Sequence, residues 1–266
     1  MHVSAGLFTG LHDAPARIRD IEQLGYSGAY TAEIHNDPFF PLVLAAEHSQ
    51  RIELFTAIAV ALARNPMTLA NIAHDLQQYS GGRFVLGIGS QIEAHITKRF
   101  SMPWSKPAAR MREFVLAMRA IWATWYDGEK LDFRGEFYQH TLMTPMFTPP
   151  QRAFGAPRIR MGGVGPQMTE TAGEVADGFI AHGFTSPAYM RHVTLPAIAR
   201  GLEKSGRTRN QFEMVCPVMV VSGETEEAFV ASRDATRRAC SWVFTVPRPR
   251  TVRYSITTVG VICKTN

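Results

Sequence analysis

From Arg158 to Phe179 the chain reads RIRMGGVGPQMTETAGEVADGF: an apolar, strand-like run ends in Gly162, Gly163 and Gly165, and a helical segment follows that closes at Gly178. Glycines at such a junction let backbone N–H groups approach an anion closely, and a helix N-terminus adds partial positive charge. The chemistry expected there is a phosphate cradle; the competing reading is a tight strand-to-helix turn with no ligand. A dinucleotide fingerprint is excluded, because G-x-G-x-x-G would need glycine where Met168 stands.

Three further junctions carry reactive types. In Glu33-Ile34-His35 a carboxylate and an imidazole alternate with an apolar residue, so an extended backbone would point both to one side. Ordinary loop hydrogen bonds, with Asp37-Pro38 starting a helix, are the alternative. Thr56-Ala57-Ile58-Ala59-Val60 has small residues that leave room for a flat ligand, although core packing explains them equally well; Arg64-Asn65-Pro66 then opens a helix. GRFVLGIGS at 82–90 ends in two glycines and the Ser90 hydroxyl, with His95 shortly after. A lone helical histidine reads as structural. Ser90 is followed by Gln91 and Ile92, so there is no G-x-S-x-G nucleophile elbow, and neither H-E-x-x-H nor a P-loop occurs.

The elements that must position these residues alternate. Strands are expected at 2–8, 28–34, 52–62, 83–90, 158–165, 178–184 and 213–223, and helices at 14–24, 38–49, 66–79, 106–125, 167–176, 187–204 and 224–238. Near-continuous apolar strands separated by helices predict a parallel sheet covered on its faces. Seven such units predict an α/β fold, a (β/α)8 barrel with its eighth unit missing, rather than an open doubly wound sheet. Reactive residues then sit where strands end and βα loops begin. An insert from Trp125 to Phe154 interrupts the rhythm and is expected to supply active-site wall or a lid.

Composition narrows the class. With 266 residues and 45% hydrophobic content the chain can bury a large core, and no compositional break favours two domains. Cys216, Cys240 and Cys263 show no C-x-x-C spacing, which predicts a reducing cytoplasm and no zinc site. The start MHVSAGLFTGLHDAP lacks signal-peptide character and no apolar run reaches membrane-spanning length, so a soluble protein is expected. The net charge of +5 is spread out, without a basic stripe, which points to anionic small molecules rather than nucleic acid.

Taken together, TAEIHNDPFFPLVLAAE at 31–47, RNPMTLA at 64–70, GRFVLGIGS at 82–90 and MGGVGPQMTETAGEVADGFIAH at 161–182 resemble the luciferase-like flavin and deazaflavin oxidoreductases, most closely the branch dependent on coenzyme F420. The resemblance runs from Met1 to about Arg238. It implies a barrel with the cofactor ring in its mouth and a small-molecule substrate, with a homodimer as one assembly the family allows. Gly162, Gly163, Val164 and Gly165 would contact the cofactor phosphate. Ala57-Ile58 would form the third-strand bulge behind the ring, often a cis peptide in the family. Ser90 and His95 would face the cofactor. Ile92 replaces a carboxylate that some relatives carry there. His35 is the proton-handling residue implied, with Glu33 as its orienter. The reaction implied is hydride transfer between a small organic substrate and coenzyme F420, the alternative being an FMN-dependent monooxygenase using oxygen.

After Arg238 the helical pattern stops, and residues 239–266 hold two of the three cysteines. Relatives have a segment like FYGSTPAY here. Reading each third codon base with the next two forces G at Trp242/Val243 and then permits F-Y-G-S-T-P-A-Y from Phe244 to Thr251. Residues 1–238 are therefore read as the barrel domain and 239–266 as an out-of-frame tail, and a catalytically defective product is a second alternative.

Overall fold

A computed structural model describes residues 2–150, 153–218 and 221–243. The first half runs β1 (Ser4–Gly6), α1 (Ala14–Gln23), β2 (Gly28–Thr31), α2 (Phe40–Glu47), β3 (Glu53–Thr56), β4 (Ala59–Val60), α3 (Pro66–Tyr79), β5 (Phe84–Gly89), α4 (Glu93–Lys98) and α5 (Pro107–Asp127). The second half runs β6 (Phe133–Arg134), β7 (Gln139–His140), β8 (Arg158–Gly163), α6 (Pro166–Val175), β9 (Gly178–Ala181), α7 (Pro187–Tyr189), α8 (Leu195–Lys204), β10 (Glu213–Val215) and α9 (Glu226–Val243).

The main sheet has the order β1-β2-β3-β5-β8-β9-β10, with every pair parallel and β4 continuing the third stave against β5. The fold is thus the predicted α/β barrel, drawn from seven staves among the described residues. Proline in the first turn starts α1, α2, α3, α5, α6, α7 and α8, where its missing N–H has no intrahelical partner to lose. The side chain of Asn65 caps α3 by accepting from Met67 N at 2.9 Å. The central strand β5 is buried at every position, as a parallel strand covered on both faces must be.

Several boundaries differ from expectation. The second stave ends at Thr31 rather than at residue 34, and the third is broken between Thr56 and Ala59. The last expected strand, 213–223, stops at Val215: Pro217, which cannot donate to a ladder, follows closely. Helix 187–204 contains a π turn at Met190–Thr194 just before Pro196, whose missing N–H removes the bond a regular helix would make there. α9 extends to Val243, past Arg238, and no proline or glycine occurs in that extension. The rest of the expected tail, residues 244–266, lies outside the described residues.

In its described part the long insert is tied to α5: Glu113 accepts from the N–H groups of Glu136, Phe137 and Tyr138 at 2.9, 2.7 and 2.6 Å, holding the β6–β7 hairpin against that helix. Farther on, Phe154 exchanges hydrogen bonds with Gln77 and Gln78 of α3, and its ring lies against Gly82.

At the N-terminal end of the staves, Arg158 and Arg160 each bridge Glu53 of β3 and Glu213 of β10; Arg160 reaches them at 2.8 and 2.5 Å. Arg160 is 1% exposed, and its guanidinium also lies 5.0 Å from the centre of the Phe55 ring. These side chains line a 260 Å³ cavity at the end opposite the predicted cradle.

Candidate active site

The shelf at the mouth begins where β3 stops. Ala57 N donates to Thr31 O at 2.6 Å and the Ala57–Ile58 peptide is cis, in the position the sequence suggested. Thr56 bridges the gap to β5, its Oγ1 accepting from Gly87 N at 2.9 Å and donating to Gly87 O at 2.6 Å. Only glycine fits opposite, since a Cβ on Gly87 would lie 1.7 Å from Thr56 O. A Cβ on Gly89 or Gly162 would come within 3.1 or 2.9 Å of the Ile58 side chain, so these two glycines form the seat of Ile58 between β5 and β8.

Glu33 holds this shelf from the second stave. Its N–H donates to Ile58 O at 3.1 Å, and its carboxylate accepts from Val60 N at 2.8 Å and pairs with Arg64 at 3.1 Å. Arg64 also meets Asp37 at 2.9 Å, and Asp37 in turn accepts from Phe39 N at 2.9 Å. Burial disfavours the Arg64 charge, but the field of Glu33 and hydrogen bonds to Asp37 and Glu33 outweigh it and hold the guanidinium above its ordinary value.

Glu33 and His35 do not face each other as an extended strand would have them. Ile34 N donates to Ala32 O at 3.1 Å, and residues 33–36 bend, so the alternation is lost. Glu33 turns inward, 7% exposed, while His35 is exposed at the mouth. The loop is tied across the opening by Arg99, which donates from Nη2 to Ile34 O at 2.9 Å just beyond the end of α4. His95 lies on α4, and its Nδ1 is buried without a hydrogen-bond partner among the described residues. Ser90, at the end of β5, donates to Gln91 O at 3.0 Å.

Gly162 and Gly163 close β8, and Gly165 is the N-cap of α6. Pro166 has no N–H, so Gln167 and Met168 present the unpaired donors of the first turn. That turn holds no acidic residue, and a Cβ built on Gly165 meets nothing within 4 Å. Tyr189 fixes the loop by donating its hydroxyl to Val164 O at 2.9 Å. Open space, free donors and the orphaned His95 nitrogen fit a phosphorylated flavin-type cofactor. Gly162 and Gly163 have a packing duty as well: a Cβ on Gly163 would come 2.7 Å from Met168 Cγ.

Sequence reasoning missed two partners here. Arg64 was read only as a helix opening, although one guanidinium near two acidic loop residues was a signal for a clamp. Tyr189 had no signal, since its contact depends on how the loop after β9 returns to the sheet. Among the described residues no group of His, Cys, Asp and Glu is arranged to hold a metal ion, and no helix is long and apolar enough to cross a membrane.

Residues 2–254 match the luciferase-like monooxygenase family. An uncharacterised protein of Mycobacterium tuberculosis is 53% identical over 232 residues, covering 87% of this chain and 68% of the relative. An F420-dependent glucose-6-phosphate dehydrogenase of Nakamurella multipartita is 30% identical over 182 residues, 67% of this chain and 51% of the relative. The solved coenzyme F420-dependent tetrahydromethanopterin reductase from Methanopyrus kandleri has a TM-score of 0.75 at 21% identity, over 93% of this chain and 74% of its own, a likeness of fold. The family match over almost the whole described chain, with a parallel barrel to go with it, shows that the chain belongs to the luciferase-like monooxygenase family.

Proposed function

We propose that this protein is an F420-dependent oxidoreductase that transfers a hydride between a small organic substrate and the deazaflavin. The observation that carries the reading is the pairing of the Ala57–Ile58 shelf with an open helix N-terminus at Gly165, both at the C-terminal ends of parallel staves. Relatives named as F420-dependent, glucose-6-phosphate dehydrogenases of two organisms among them, support the deazaflavin reading.

In this reading the backbone donors from Gly162 to Met168 hold the phosphate, and Ile58 backs the ring. His95 offers Nδ1, and Ser90 its hydroxyl, to the cofactor's polar edge. The deazaflavin, when bound, supplies two-electron hydride chemistry. His35 takes or gives the accompanying proton at the substrate oxygen. Glu33 serves His35 through the backbone, by fixing the loop and the shelf together.

Titrating the purified chain with coenzyme F420 and with FMN, following cofactor fluorescence, tests the assignment. Tighter binding of coenzyme F420 is expected. Tighter FMN binding would transfer the site to an FMN-dependent monooxygenase, and binding of a nicotinamide nucleotide with neither flavin would overturn the reading.

A further inference from the structure

Large apolar side chains are exposed just past the ends of several staves: Phe8 at 60% after β1, Ile34 at 55% after β2, Ile92 at 44% after β5 and Val164 at 40% after β8. Singly, each would be ordinary surface. All four follow the C-terminal ends of parallel staves, the end of the barrel that also carries the shelf and the cradle. An apolar lining with a few placed polar groups is the usual make-up of a small-molecule site.

Two of the cations beside them, Arg64 and Arg99, are already engaged. Arg64 lies between Glu33 and Asp37, a trio with one carboxylate in excess. Arg99 donates to Ile34 O and stacks 4.7 Å from the centre of the Phe100 ring. A phosphorylated or carboxylated substrate beside Arg64 would meet the excess negative charge of Glu33 and Asp37. Ile92, after β5, adds an apolar wall close to Ser90.

We propose that the mouth selects an uncharged, mainly apolar organic substrate, packed against Ile34, Ile92 and Val164 with its single polar end toward His35. This rests on the flavin-type reading of the same mouth and names its substrate class. A sugar phosphate is disfavoured by the same features.

Saturation-transfer NMR on the full chain, with and without coenzyme F420, tests it with 1-butanol, 1-hexanol and 1-octanol, and with glucose 6-phosphate as the charged comparison. Affinity should rise two- to fourfold, roughly, per added methylene, the gain expected of a CH₂ leaving water partly or fully. Ile34→Asp combined with Ile92→Asp should weaken 1-octanol about tenfold, while Leu24→Asp, at an exposed residue after α1, should leave it unchanged. Ile34→Asn with Ile92→Asn serves if the aspartate pair does not fold. A flat alcohol series, equal loss in Leu24→Asp, or preferred binding of glucose 6-phosphate would overturn the proposal. A chain-length gradient that survives while coenzyme F420 fails to bind would sink the cofactor reading and leave the apolar mouth standing.

Discussion

Replacing Glu33 by alanine exposes the energetics of the clamp. Val60 is fully buried, so its N–H, 2.8 Å from the lost carboxylate, is left without an acceptor, a cost of about 1–3 kcal/mol. Arg64, 18% exposed, keeps Asp37 at 2.9 Å but loses its more buried partner. Breaking a fully buried pair costs about 3–5 kcal/mol; with one carboxylate retained and some solvent access, the loss at Arg64 falls to ~1–2 kcal/mol. The total for Glu33→Ala is then about 3 kcal/mol. Glu33→Gln keeps an acceptor for Val60 and should cost about 1–2 kcal/mol, and Asp37→Ala, at a residue 32% exposed, about 1 kcal/mol. Urea unfolding followed by tryptophan fluorescence measures all three, provided the slopes agree. Adding Arg64→Met to Glu33→Ala removes the stranded charge, and the pair should cost less than the sum of the singles. Glu33→Ala within about 0.5 kcal/mol of the parent, a difference typical of neutral surface changes, would refute the clamp. So would equal costs for Glu33→Ala and Asp37→Ala.

Four other outcomes follow from the structure. Gly87→Ala should prevent stable folding, or lower stability by more than about 3 kcal/mol, because its methyl meets backbone rather than a movable side chain; Gly165→Ala should melt like the parent yet bind coenzyme F420 more weakly, as thermal melts and fluorescence titration can establish. His35→Ala should lower turnover far more than cofactor affinity, the signature of an interaction made chiefly in the transition state, and steady-state kinetics would return His35 to a loop role if turnover held. Burial pushes His140 below its ordinary value, so the folded state binds its proton less readily than the unfolded chain does. That contribution to stability is complete above the unfolded value of 6.5 and is lost as pH falls below it. Melting curves from about pH 7.5 to about 5.5 should show a drop that His140→Phe reduces; an unchanged drop would place the acid sensitivity elsewhere.

The alternation of staves and helices was legible because each stave is buried on both faces, which leaves a short continuous apolar run, and because proline marks most helix starts. The strand–glycine–helix junction after β8 and the Ala57–Ile58 break stand where the sequence located them. Local pattern could not show what long-range contacts decide. Glu33 and His35 parted because a bend after Thr31 trades the strand's alternation for a bond from Ile34 N to Ala32 O. The insert's course depends on Glu113, which meets the hairpin only after α5 and the returning chain lie side by side. Arg158 and Arg160 alternate with Ile159, and that spacing was the available sign that both face one side of their strand.

The arginine–glutamate knot at the base of the barrel bears on the order in which the chain can settle. Arg160 is almost wholly buried, and its carboxylates come from β3, made early, and β10, the last described strand. A ribosome-bound chain that has emerged only through β9 can form most of the ladder, but its innermost cation then has half its counter-charge. The early staves should therefore keep water at their base until Glu213 arrives. Shortened products that end before β10 are the ones on which quality-control proteases should act first.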